Sequence, residues 1–195
     1  MSNPVVVFVA RVIAWLAPAF AIWYLAAPLL LWPVRLLAQG VVQLAFPSVV
    51  RSIEQSGAVC TFTTTLKPGA VLAASGNVAV DVNMMLYSFG LPLFVALVLA
   101  AREPRAGRRL ATGYAVIVPF AAWGVVADFL KNIAITADPL VASQTGFSSA
   151  MREAIAFAYQ FGALILPTVV PVVVWVVMHR AFLERLRPTS GNGTP

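Results

Sequence analysis

The sequence predicts a membrane protein that is almost all α, with about four transmembrane helices. A small extracytoplasmic β-hairpin or meander is inserted between helices 1 and 2. Three observations carry this. Of 195 residues, 61% are hydrophobic and only 10% charged, against about 45–50% and about 25% in soluble domains. Apolar runs long enough to cross about 30 Å of hydrocarbon recur along the chain. Between residues 48 and 83 the apolar pattern switches to strict alternation, the signature of strands.

The first apolar run covers residues 5–31, interrupted by Arg11 and punctuated by Pro18 and Pro28, with Pro33 just after. It has no charge before Arg11 and exceeds a signal-peptide apolar stretch, so it reads as an anchor. Residues 32–46 read as an interfacial continuation. Leu36, Leu37, Val41, Leu44 and Ala45 form its apolar side, and Arg35, Gln39 and Gln43 its polar face. Pro47 ends it and closes a first unit, residues 1–47.

Residues 48–83 form the second unit. Cys60, Phe62, Thr64 and Leu66 alternate with threonines, and Val78, Val80 and Val82 alternate with Ala79 and Asp81. Ser56-Gly57 and Lys67-Pro68-Gly69 read as turns. Three or four such short strands cannot bury a core alone, so the sheet should rest on the helices or on a partner. Asn83 suits the N-cap of a second span ending near Ala101, with Gly90 and Pro92 inside it. A third span covers residues 110–135. A fourth covers 151–182, with Pro167 and Pro171 mid-span. Together they make a three-helix unit, residues 84–183. Residues 184–195 read as a disordered cytoplasmic tail.

Charge sets the orientation. Arg102, Arg105, Arg108 and Arg109 crowd one short turn, and Arg180, Arg185 and Arg187 the C-terminal end, whereas residues 36–83 hold only Arg51 and Lys67. The positive-inside rule then puts that turn and both termini in the cytoplasm of a multi-pass bacterial inner-membrane protein. The β-loop and the 136–150 loop fall outside. The net charge of +6 thus encodes topology, and no basic stripe interleaved with exposed aromatics points to nucleic acid.

Four features invite a functional reading. Asp128 and Lys131 lie one turn apart near the outer end of the third span, and Arg152 and Glu153 open the fourth. The expected arrangement is an interfacial ion-pair cluster, Asp128 with Arg152 and Lys131 with Glu153, and the rival is an ion or proton site. Ala150, Ala154, Ala158 and Gly162 recur at four-residue spacing. Such stripes let helix backbones approach closely in lipid, within the chain or on a partner, and Gln160 beside them should find an interhelical hydrogen bond. Cys60, the single cysteine, falls on the apolar face of its strand, and the single histidine, His179, belongs to the opposite membrane face. A thiolate nucleophile needs a nearby base, so Cys60 reads as a packed thiol. Glu54 and Asp81 are the only acids of the β-loop, and nothing in the sequence places them together. No phosphate loop, metal-ligand spacing or nucleophile elbow occurs, and no cofactor is expected.

The order of features carries a family resemblance. Trp23-Tyr24 is followed by Ala27-Pro28, then by Ile53-Glu54-Gln55, the Thr61–Leu66 run, and Asn83 leading into Tyr87-Ser88-Phe89-Gly90-Leu91-Pro92. An arginine-rich turn and a long helical hairpin follow. Over residues 5–183 this resembles the exosortase H-associated membrane proteins. The resemblance implies a partner, the exosortase, a polytopic membrane transpeptidase that recognises C-terminal sorting signals and resembles sortases in using Cys, Arg and His. It transfers no functional residue to this chain. The reading is a non-enzymatic accessory protein of such a sorting transpeptidase, surrounded by membrane lipid and free to form homo-oligomers. Its rivals are a small oligomeric transporter or channel subunit, and a membrane enzyme acting on lipid or peptide through the outer loop.

Overall fold

The computed structural model describes residues 3–68 and 76–186. Part of the Lys67-Pro68-Gly69 turn, Arg187 and residues 188–195 lie outside them. The N-terminal helix α1 (Pro4–Leu25) starts where Asn3 accepts a hydrogen bond from the Val5 amide at 3.0 Å, with Pro4 in its first turn. The chain bends at Ala26 and again at Leu31, giving α2 (Ala27–Leu30) and α3 (Trp32–Ala45). Pro28 and Pro33 each occupy the first turn of a new helix, where a missing amide costs nothing.

A three-stranded antiparallel sheet follows, ordered β1 (Val50–Ser56), β2 (Val59–Thr64) and β3 (Ala79–Asn83). Asn83 caps a 3₁₀ turn over Met84–Tyr87, accepting from the Met85 amide at 3.1 Å. Next come α4 (Gly90–Ala101) and the central α5 (Ala106–Lys131), which ends in a π-helical turn, Asn132–Thr136. A short α6 (Pro139–Gln144) leads to α7 (Ser149–Gln160). A second π-helical turn (Phe161–Ile165) joins α7 to α8 (Leu166–Met178), and α9 (Arg180–Leu186) closes the described chain. That π turn lies just before Pro167 and Pro171, neither of which can donate to the helix ladder.

Four helical stretches are long and apolar enough to cross a membrane: Pro4–Leu25, Ala27–Ala45, Ala106–Thr136 and Ser149–Met178. The number matches the expectation, and length and apolarity pick out a different four. The stretch read as interfacial is one of the four. The second expected span shrinks to the 12 residues of α4, about 18 Å long and short of the hydrocarbon thickness. Its first residues are taken by the 3₁₀ turn and the Ser88–Phe89 break. The apolar side of α3 faces outward. Val34, Ala38 and Val42 point into the protein, while Leu36, Leu37, Val41 and Leu44 are exposed. With lipid outside, large apolar side chains lose nothing by facing out, and small ones allow close packing within. Trp15, Tyr24 and Trp32 are likewise exposed.

The sheet rests on the helices, as its size required. The Phe62 ring stacks on Phe129 of α5 with centroids 4.4 Å apart, and both rings are fully buried. The two loops expected on one side are tied together: Lys67 N–H donates to Gln144 Oε1 at 2.9 Å, and Gln144 Nε2 donates to the Lys67 carbonyl at 3.0 Å. At the other end, Phe8 of α1 stacks on Trp175 of α8. The helix α9 reaches Leu186, so residues 184–186, assigned to the tail, are helical.

Candidate functional site

Charged and polar groups gather at the two ends of α5, about 30 Å apart for the 20 residues between Arg109 and Phe129. At the sheet end, Asp128 is buried, with 8% of its surface exposed. Lys131 Nζ lies 3.2 Å from its Oδ1, and Asn132 Nδ2 donates to the same oxygen at 3.0 Å. Lys131 also sits 4.3 Å from the centre of the Tyr159 ring, a cation–π contact.

The expected pairing of Asp128 with Arg152 and of Lys131 with Glu153 is therefore not what forms. Asp128 and Lys131 pair with each other inside one turn of α5, because three-residue spacing already brings their side chains together. Among the described residues Arg152 and Glu153 make no salt bridge. They line a separate hollow beside Ala134, Pro139 and Ala156. Asp128 is held by a cation and an amide, the usual arrangement of a structural buried carboxylate.

The small-residue stripe splits in two. Gly162 packs directly on α5, where a Cβ at this position would stand 3.0 Å from Gly124 Cα. Trp123 Nε1 donates to the Ala158 carbonyl at 3.2 Å. Ala150 and Ala154 remain exposed. Ala158 also borders an apolar groove of about 380 Å³ between α3, α5 and α7, with Leu37, Val41, Phe46 and Trp123. Gln160 is exposed and makes no side-chain hydrogen bond among the described residues, so the interhelical bond expected of it is not formed. The π turn that begins at Phe161 shifts the helical phase there, and four-residue spacing stops describing a single face.

On the sheet, register settles what spacing left open. Glu54 faces Thr61, and Thr61 faces Asp81, so the two acids share one row with Thr61 between them. The Thr61 hydroxyl donates to Asp81 Oδ1 at 2.6 Å. Two strand spacings separate the acids by about 10 Å, and both are exposed, so they form no close carboxylate pair. Cys60 is fully buried on the opposite face, and burial pushes its thiol up to about 11 against a smaller opposing pull from Arg35. Its thiolate fraction at pH 7 is on the order of 10⁻⁴, far too little for a nucleophile. Cys60 should resist maleimide labelling in the folded protein at pH 7 and label at once after denaturation. Rapid labelling of the folded chain would mean an accessible, activated thiol.

The other end of α5 holds a cluster that sequence reasoning missed. The turn between α4 and α5 places Arg102 and Arg105 in left-handed backbone, at φ 49° and 62°, and folds Glu103 inward until its side chain is 8% exposed. Glu103 pairs with Arg109, and Arg185 Nη2 lies 3.2 Å from its other oxygen. His179 Nε2 is 4.0 Å from Glu103, its side chain fully buried. His179 Nδ1 is 2.9 Å from the Trp175 carbonyl and its ring stacks on Trp175. Burial is the main cause of a lowered His179 pKa. Arg109 adds to that, while the Trp175 carbonyl and Glu103 oppose it. The available signal was composition: Glu103 is the only acid in a turn of four arginines.

The fold defines a polytopic helical membrane protein with a small sheet fixed to one end. Within that class the chain belongs to the exosortase H-associated membrane protein family, whose model matches residues 2–182. No curated protein and no solved structure matches the chain.

Proposed function

We propose that this chain is a non-enzymatic accessory subunit of an exosortase, serving protein sorting in the bacterial inner membrane. Family membership over residues 2–182 is the observation that carries the reading. Both termini and the arginine-rich turn face the cytoplasm in this proposal, and the sheet with its tethered α6 lies outside. Supporting that orientation, the arginine turn and the Phe62–Phe129 stack sit at opposite ends of α5. Their separation of about 30 Å equals the hydrocarbon thickness.

The docking surface is the exposed half of the small-residue stripe, Ala150 and Ala154, continued by Ala158 at the edge of the apolar groove. A transmembrane helix of the exosortase can approach closely there. The sheet, with β1 and β3 at its edges, meets the enzyme's outer face or an extended substrate segment by strand addition. Ala150→Leu with Ala154→Leu should cut recovery of the exosortase in mild-detergent co-purification by about tenfold, the equivalent of ~1.4 kcal/mol, with membrane insertion unchanged. Undiminished recovery would remove this surface from the interface. Recovery of the chain alone or only as a homo-oligomer, even for the unsubstituted protein, would remove the accessory reading itself.

A further inference from the structure

The arginine turn does more than mark one side of a membrane. A cavity of about 390 Å³ opens beside it, lined by Pro104, Arg105, Arg108, Arg109, Thr112 and Met178. That volume lies within the range of small-molecule sites, about 300–1,000 Å³. Three arginines line it, and the one acid of the turn is already committed, because Glu103 pairs with Arg109 and Arg185. Arg105 and Arg108 have no carboxylate partner among the described residues. The hydroxyl-bearing Thr112 lies one helical turn beyond Arg108 on α5, and Met178 contributes an apolar wall from α8. The first turn of α5 adds to the positive field, since it contains no acidic residue and no side chain caps it.

Scattered positive-inside arginines need only be near one membrane surface. They do not need to share a cavity with a hydroxyl and an apolar wall. Planar guanidiniums bind phosphate oxygens in pairs, and basic pockets beside transmembrane helices suit lipid headgroups. We propose that this cavity is a binding site for a phosphate group, either that of an anionic phospholipid such as phosphatidylglycerol or free inorganic phosphate. Arg105 and Arg108 grip the oxygens, Thr112 donates to one, and a lipid's glycerol and acyl chains run along Met178. The site does not depend on the partner reading.

The test uses the full chain, delipidated in detergent and followed by native mass spectrometry and thermal unfolding. The probes are phosphatidylglycerol, phosphatidylcholine and inorganic phosphate. The informative variant is Arg105→Gln with Arg108→Gln. Arg102→Gln with Arg180→Gln is its control, matched in charge and drawn from arginines that do not line the cavity. The unsubstituted chain should retain phosphatidylglycerol over phosphatidylcholine. The cavity variant should lose that retention by about tenfold or more, and the control should keep it. If inorganic phosphate alone raises the melting temperature, and only with the cavity arginines present, the site stands with the free anion as its ligand. Equal losses in both variants would show a diffuse charge effect and overturn the site. So would the absence of any preference for either phosphate probe.

Discussion

Replacing Gly90 by alanine should destabilise the protein by about 3 kcal/mol or more, at the upper end of overpacking costs. Gly90 opens α4 at the point where that helix meets α8. A Cβ there would stand 1.9 Å from the Pro167 carbonyl oxygen and 2.5 Å from Pro171 Cγ. Neither neighbour can give way. One atom is backbone, and the other belongs to a ring locked into its helix. The helices themselves would have to part, and α4 also carries the buried Leu91, Phe94 and Val98, which pack with Ile117 and Trp175. Thermal unfolding in detergent reads this directly. A far smaller effect is expected at Gly40, where a Cβ would meet nothing within 4 Å and only helix propensity is in play. A Gly90→Ala protein as stable as the parent would mean that α4 and α8 do not pack as described.

That contact explains why part of the fold could be read from sequence and part could not. The run from Tyr87 to Pro92 stands out as a pattern, but its reason is a crossing with prolines about 77 residues later in the chain. The sheet was legible because alternation is local: Cys60 and Phe62 are buried just where period two puts them. The identity of the spans was less so. Apolar length alone does not place them: α4 joins the sheet end of α5 to its arginine end, although a 3₁₀ turn has taken its first turns. The facing of α3 is set by a different rule. In water large apolar side chains point inward, whereas in lipid burial gives little driving force and side-chain size decides.

The candidate sites follow the same division. The Asp128–Lys131 pair lies within one helical turn and was visible as a spacing, but partner choice across the α5/α7 hairpin was not. The Glu54–Thr61–Asp81 row needed strand register, which only the paired structure supplies. The Glu103 cluster was not legible because its three basic neighbours come from two separate stretches of chain, Arg109 nearby and His179 and Arg185 about 80 residues away.

Glu103→Gln should lower stability by about 2–3 kcal/mol, more than an ordinary surface ion pair would predict. Removing one member of a buried pair costs about 3–5 kcal/mol because the other charge is left uncompensated. A discount applies here, since the Arg109 side chain is 26% exposed and Arg185 is 71% exposed. A double-mutant cycle should accordingly find most of the coupling between Glu103 and Arg109, and within about 0.5 kcal/mol of none between Glu103 and Arg185. His179 supplies a second readout through pH. Its folded-state pKa is lowered mainly by burial, so below about pH 6.5 the unfolded chain takes up a proton that the folded chain refuses, and stability falls. Glu103 opposes that lowering. Without its charge the folded pKa drops further, and the acid-side loss should continue to lower pH in Glu103→Gln. Adding His179→Gln should remove that part of the slope. Melting curves taken between pH 5 and 8 that superimpose for the single and double variants would show that His179 stays out of the titration, and that Glu103 serves only to hold Arg109.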